Sequence, residues 1–260
     1  MHYSIIVILK KGQELEKAMA PFYEGVHVPE YERDCYCLNT EAQRDVNKKH
    51  DFDDEVRNPY NALPEEQRTN KLWRQMVKER NAKVREALHA HPKYGQPDPT
   101  CTDCNGTGKK KTTCNPNGHW DWYEVGGRWG GAFTDKKGKT CDKLKIKDLS
   151  LEQMELTQHN QLVASWEEVQ KKLGTKEEGL LNLSHGYDGE KTLDEWLMKR
   201  KSHEVLSSYA FLADGVWLAH EKFDRADKEF VQIDGWHDKL VAAIKGADPN
   251  DTIMMVDCHS

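Results

Sequence analysis

The most constraining feature of the chain is that its two ends are its two most apolar segments. Residues 3–9 and residues 252–258 both lack the regular alternation of apolar and polar side chains that marks a half-exposed strand. Such continuous runs are typical of strands that are buried on both faces. Because a sheet that uses both chain ends as central strands belongs to one domain, we predict a single α+β domain over residues 1–260.

Helical periodicity and capping patterns predict about four main helices packed on this mixed sheet. Ser150 with Gln153 and Thr192 with Glu195 have the spacing of capping boxes, and Pro64 suits a first helical turn. The predicted helices cover residues 64–90, 150–173, 192–203 and 236–246, with shorter ones over 13–20 and 40–49. The other predicted elements are a hairpin over 208–220 around Asp214-Gly215, a strand pair within 120–134 and an edge strand over 143–147.

Composition excludes several classes of protein. No apolar run approaches the roughly 18–20 residues that a membrane helix needs, and the first residues have neither the basic region nor the cleavage site of a signal peptide. The chain contains seven cysteines, an odd number. Without a signal peptide, this argues against a disulfide scaffold and predicts a reducing, cytoplasmic location.

Charge is distributed unevenly along the chain. The net charge is −6, but residues 93–147 contain ten Lys and one Arg against five Asp and one Glu, which is +5 for this region and −11 for the rest. A local basic region of this kind can attract a protein or nucleic-acid partner. The alternative is a lysine-rich loop that is simply solvated.

A cluster of cysteines lies in a segment whose composition cannot form a core. Residues 101–108 read Cys-Thr-Asp-Cys-Asn-Gly-Thr-Gly, and a Cys-x-x-Cys turn presents two thiolates at the spacing that tetrahedral zinc requires. The predicted ligands are Cys101, Cys104, Cys114 and His119, of which the fourth is open. Cys141 and the pair Cys35 and Cys37 are its alternatives.

The octet that begins at Cys101 resembles one element of the cysteine-rich region of DnaJ-type co-chaperones, which implies a metal-binding turn and not chaperone activity. We therefore predict a structural zinc ion that orders residues 92–119 as a loop insertion within the domain. Free thiols in a loop are the alternative.

The most unusual string in the chain is His-Trp-Asp-Trp-Tyr-Glu-Val-Gly-Gly-Arg-Trp-Gly-Gly over residues 119–131. Aromatic walls, bare glycine backbone and one guanidinium are what a pocket for a nucleotide or a base uses. The predicted ligand-binding residues are Trp120, Trp122, Tyr123, Gly126, Gly127, Arg128 and Trp129. The alternative is that the tryptophans pack a core and the glycines form a turn.

Asp257 and His259 lie two residues apart at the end of the last predicted strand, so they share one face of the sheet. A carboxylate and an imidazole can hold a divalent cation or act as acid and base. Together with Asp121 and Arg128 they are the candidate catalytic residues. The alternative is a structural Asp257 and a frayed His259.

The run Asn115-Pro116-Asn117, followed by residues 119–129, resembles the Asn-Pro-x-x-x-Trp-Asp-Trp-Tyr-x-x-Gly-Gly-Arg-Trp signature of an uncharacterised family of bacteriophage and prophage proteins. Residues 20–22 and 256–259 are similar to the two ends of that family. The resemblance implies a phage or prophage origin and one compact domain, with no established activity.

Two functions follow as hypotheses. The first is a phage-encoded, zinc-containing binding protein that acts on a host or phage protein or nucleic acid through the basic 93–147 region, for example as an inhibitor of host defence. The second is an enzyme that acts on a nucleotide or nucleic acid, with Arg128, Asp121, Asp257 and His259 around one pocket. A nucleophile with its base is not visible in the sequence, which favours binding.

Overall fold

The computed structural model describes residues 1–64, 67–200, 205–224 and 229–260, and within them the chain forms two compact units. The first unit comprises Met1–Val26, Cys114–Glu221 and Gln232–Ser260, and the second comprises His27–Thr113 and Lys222–Val231. The second unit is thus much longer than the 92–119 insertion that the sequence suggests. That the whole chain acts as a single domain stays a prediction.

A mixed sheet organises the first unit, and smaller two-stranded sheets accompany it. The strands are β1 (His2–Leu9), β2 (His27–Asp34), β3 (Lys109–Cys114), β4 (Trp122–Val125), β5 (Phe133–Thr134), β6 (Thr140–Cys141), β7 (Lys143–Lys145), β8 (Ala210–Ala213), β9 (Val216–Ala219), β10 (Glu221–Asp224), β11 (Glu229–Gln232) and β12 (Thr252–His259).

The two chain ends are the central strands of this sheet, as the sequence predicts. Its order is β4-β12-β1-β8-β9, and β7 pairs with the other half of the β12 edge that β4 occupies. β1 runs antiparallel to β12 with Ile5 opposite Val256, and parallel to β8. The fold is therefore α+β with a mixed sheet, and the apolar ends of the chain determine its centre.

Helices surround the strands in both units. They are α1 (Leu15–Met19), α2 (Thr40–Lys49), α3 (Asn58–Asn61), α4 (Asn70–His89), α5 (Leu151–Lys172), α6 (Leu181–His185), α7 (Leu193–Arg200) and α8 (Trp236–Gly246). Among the described residues, no helix is both long enough and apolar enough to cross a membrane.

Capping chemistry fixes the helix starts. The Ser150 hydroxyl accepts the Gln153 backbone N–H at 3.2 Å, and the Thr192 hydroxyl accepts that of Glu195 at 3.2 Å, so both capping boxes form. The α4 helix begins later than predicted because Thr69, not Pro64, caps it through the Leu72 N–H. Glu65 and Glu66, at the start of the predicted helix, lie outside the described residues, as does the end of the predicted helix over 192–203.

Both faces of the sheet are buried, which explains the unbroken apolar runs. Ile5 and Val7 lie on one face with Met19 of α1, while Ile6 lies on the other with Leu240 of α8. A third cluster joins α5, α6 and α7, and its largest members are Trp166, Leu181 and Trp196. Packing of this kind supplies most of the stability of a fold.

Turns and edges mostly follow the sequence pattern. Asp214 and Gly215 have φ of 51° and 75° and join β8 to β9, as a type I′ hairpin requires. The alternating lysine segment forms the outer strand β7. The strand pair predicted within 120–134 does not form, because β4 pairs with β12 and β5 pairs with β6.

Candidate metal centre

The Cys-x-x-Cys turn is built by residues that tolerate left-handed backbone. Asn105, Gly106 and Gly108 have φ of 52°, 73° and 74°. This conformation lets the Gly108 N–H donate to the Cys104 sulfur at 3.3 Å. An added Cβ at Gly106 would lie 2.9 Å from the backbone oxygen of Pro99, so only glycine fits there. The turn therefore stabilises a thiolate on Cys104.

A second pair of cysteines comes from a distant part of the chain. Cys35 and Cys37 directly follow β2, and the Cys35 N–H donates to the Gly108 carbonyl at 2.9 Å. The Asp98 N–H donates to the Cys37 carbonyl at 3.3 Å. These backbone bonds fix the two cysteine segments against each other within the second unit.

The four sulfurs have the separations of a tetrahedral metal site. All lie within 4.8 Å of one another, with 3.8 Å between those of Cys35 and Cys101 and 3.4 Å between those of Cys37 and Cys104. A tetrahedral zinc with sulfur at 2.3 Å needs sulfurs about 3.8 Å apart. Three of the cysteines are buried and Cys101 is partly buried. The group is able to hold a metal ion.

The thiols differ in acidity before a metal binds. Burial, with the hydrogen bond to Cys104, raises the pKa of the Cys37 thiol to about 12. Burial also raises the pKa of Cys104, but hydrogen bonds with the Cys37 thiol and from the Gly108 N–H outweigh it and hold that pKa at about 7. Cys104 is therefore the thiolate that a metal meets first, and the other thiols must lose protons as it binds.

The other predicted ligands lie elsewhere. Cys114, the last residue of β3, is exposed, and Cys141 in β6 is partly buried. The His119 ring stacks on Trp217 at 4.8 Å, and burial lowers the pKa of its imidazole. The described four-cysteine group thus contains Cys101 and Cys104 from the predicted set, with the alternative pair Cys35 and Cys37 in place of Cys114 and His119. The signal that could have found this pair is its Cys-x-Cys spacing in a segment without a core.

The aromatic and glycine motif is divided among different environments. Trp120 packs into the core, with its indole N–H donating to the Met19 carbonyl at 3.1 Å, and Tyr123 packs beside it. Trp122 is 49 % exposed, and Trp129 packs on the opposite face of the sheet. The structure does not bring these side chains to one pocket, although Trp129 lines a cavity of about 580 Å³.

The glycines of this motif make a tight turn over a buried carboxylate. Gly126 and Gly127 have φ of 75° and 51°. The Arg128 N–H donates to Asp257 Oδ2 at 3.1 Å, while His2 Nδ1 is 3.0 Å from Asp257 Oδ1. Asp257 is only 2 % exposed and both of its oxygens are engaged, so its observed role is to fix this turn to the sheet.

The remaining candidate catalytic residues are nearby but are accessible. His259 Nδ1 is 2.8 Å from Asp121 Oδ1, and this hydrogen bond lowers the pKa of the Asp121 carboxyl. The rings of His259 and His2 are 5.0 Å apart. The Arg128 side chain is exposed. The four residues are thus contiguous along the strand ends, and none of them lines the 580 Å³ cavity.

Comparison of the chain with protein-family models, curated proteins and solved structures finds no match. The four-cysteine group therefore carries the functional argument on its geometry alone.

Proposed function

We propose that this protein is a zinc-containing binding protein in which a structural zinc ion, held by Cys35, Cys37, Cys101 and Cys104, orders the second unit. The observation that carries the proposal is the set of four sulfurs within 4.8 Å of one another. Four thiolates prefer zinc among the common cellular metals, and they complete its coordination without a position for water or substrate. A closed site of this kind stabilises a fold and does not catalyse a reaction.

The resemblance to phage and prophage proteins supports a mobile-element origin. We therefore propose that the protein works in the cytoplasm of the host cell, where the reduced cysteines retain zinc, and that it binds a host or phage macromolecule. Inhibition of a host defence protein is the role that we propose for such a complex.

A protein partner is favoured over a nucleic acid by the ion pairs of the basic region. Lys93 pairs with Glu41, Lys109 with Asp34, and Lys111 with Glu30 at 2.9 Å. Lysines that are neutralised by neighbouring carboxylates release few counterions on a phosphate backbone, so they add little affinity for nucleic acid. A surface of alternating charges suits a protein surface of complementary pattern.

The experiment is cross-linking of the tagged, zinc-loaded protein in phage-infected cells, with DNA and RNA binding measured in parallel at about 50 mM and about 200 mM salt. We expect a cross-linked protein that is lost in the Cys35→Ser variant and retained in Cys114→Ser. A salt-dependent complex with nucleic acid would transfer the proposal to that partner. Absence of both complexes would overturn the binding function. The enzyme hypothesis stays a prediction.

A further inference from the structure

The cavity of about 580 Å³ in the first unit has the size of a small-molecule site. Ligand cavities usually measure about 300–1,000 Å³. Its apolar floor comes from the two central strands through Ile6 and Met255, and from Phe133 and Leu206 beside them. It lies on the sheet face opposite the one that packs against α1, and it is separate from the four-cysteine group in the second unit.

One wall of the cavity is a tryptophan ring. Trp129 ends the short 3₁₀ turn Gly127–Trp129, and the glycines that follow it leave the backbone without side chains at the cavity edge. The turn is fixed by the buried Asp257 carboxylate through the Arg128 N–H, so the position of the ring is predetermined. A fixed indole beside bare backbone is a stacking surface for a flat ring.

The polar wall comes from one face of α5. Met154, Thr157, Gln158 and Gln161 follow each other at helical spacing and all line the cavity. The two glutamine amides form no hydrogen bond with the part of the chain that the structure describes. Each amide offers a donor and an acceptor in one plane, which is the pattern that pairs with the edge of a nucleobase.

The charge of the lining defines the ligand further. None of the residues that line the cavity is acidic or basic. A phosphate or carboxylate would therefore enter without a compensating cation, at a cost in desolvation. A purely apolar ligand would leave the two glutamine amides unpaired, and a bare sugar would not use the apolar floor.

We propose that this cavity binds an uncharged nucleoside, with the base stacked on Trp129 and its edge hydrogen-bonded by Gln158 and Gln161. This site is independent of the zinc site and of a macromolecular partner.

The test is isothermal titration calorimetry of the full zinc-loaded chain with adenosine, guanosine, cytidine and uridine, and with the 5′-monophosphate of whichever nucleoside binds. We expect one nucleoside to bind with a Kd below about 1 mM, and Gln158→Leu or Gln161→Leu to weaken it by about tenfold or more. Gln170→Leu, on the same helix but outside the cavity, is the matched control and leaves the affinity unchanged. Leucine retains helix propensity, and an unchanged Tm shows that each variant is folded.

Failure of all four nucleosides to bind at about 1 mM would overturn the proposal. Binding that both glutamine variants retain would also overturn it, since the base edge would then be recognised elsewhere. A monophosphate that binds about tenfold tighter than its nucleoside would contradict the uncharged ligand.

Discussion

At the residue scale, the buried carboxylate of Asp257 and the glycine above it depend on each other. Gly127 has a φ of 51°, and a Cβ added there would lie 2.5 Å from the Asp257 Cβ. Gly12 also has a positive φ, of 83°, but has open space around it. The two glycines therefore separate backbone strain from steric collision.

We expect Gly127→Ala to lower the free energy of unfolding by about 3 kcal/mol or more, because strain and collision add. Gly12→Ala costs only the strain, about 1–2 kcal/mol. Urea denaturation of both variants measures the difference. Equal losses for the two variants would show that Gly127 and Asp257 are not in close contact.

The predictability of the metal centre also depends on single residues. Cys101 and Cys104 are recognisable because both ligands lie on one turn, where spacing alone places the sulfurs. Cys35 lies 66 residues before Cys101, and only the tertiary fold brings the two sulfurs to 3.8 Å. His119 is close to Cys114 in the sequence, but the stacking of its ring on Trp217 is a contact with a distant strand that no local pattern indicates.

At the element scale, α7 is held by an ion pair at its C-terminal end. Arg200 Nη1 donates to Glu190 Oε1 at 2.9 Å, and the Arg200 guanidinium lies 3.2 Å from the Trp196 ring centroid. Burial raises the pKa of Glu190, but the Asp188 N–H and the Arg200 guanidinium outweigh it and lower that pKa to about 2 from 4.5.

Because the pKa of Glu190 is lowered on folding, its contribution is present above pH 4.5 and is lost as the pH falls to about 2. We expect Glu190→Gln to lower the free energy of unfolding by about 1–3 kcal/mol at neutral pH, and by much less near pH 2. Chemical denaturation at both pH values measures this. Glu177→Gln, on an exposed residue, is the control with little effect. An equal loss at both pH values would contradict the role of the ionised Glu190.

The elements themselves were predictable wherever one physical rule decides them. The apolar ends became central strands, and the Ser150 and Thr192 caps start helices where the sequence places them. The strand pair within 120–134 was wrong because pairing partners are chosen across the whole sheet. β4 finds β12, and β5 finds β6.

At the scale of the whole molecule, zinc binding is linked to protons. The pKa of about 12 for Cys37 means that its thiol is protonated near neutrality and must lose its proton to the metal. We expect the zinc affinity to fall at least about tenfold for each pH unit between about pH 8 and about pH 6. Competition with a chromophoric chelator, corrected for its own protonation, measures this. An affinity independent of pH would contradict the thiol ligand set.

The second unit should depend on the metal more than the first. Its residues 92–108 have no strand or helix of their own, whereas the first unit has the buried sheet. We expect chelation to remove amide protection from the Cys35 and Cys101 segments and to leave β1 and β12 protected in hydrogen exchange. Equal loss of protection in β1 and β12 would show that the metal supports the whole chain.

The most direct test of the account is the metal content of the purified chain, measured by native mass spectrometry together with the Cys37→Ser and Cys114→Ser variants. The four-cysteine site predicts a single zinc ion on the unmodified chain and on Cys114→Ser, and none on Cys37→Ser. A chain without metal, or one that keeps zinc in Cys37→Ser and loses it in Cys114→Ser, would contradict the site.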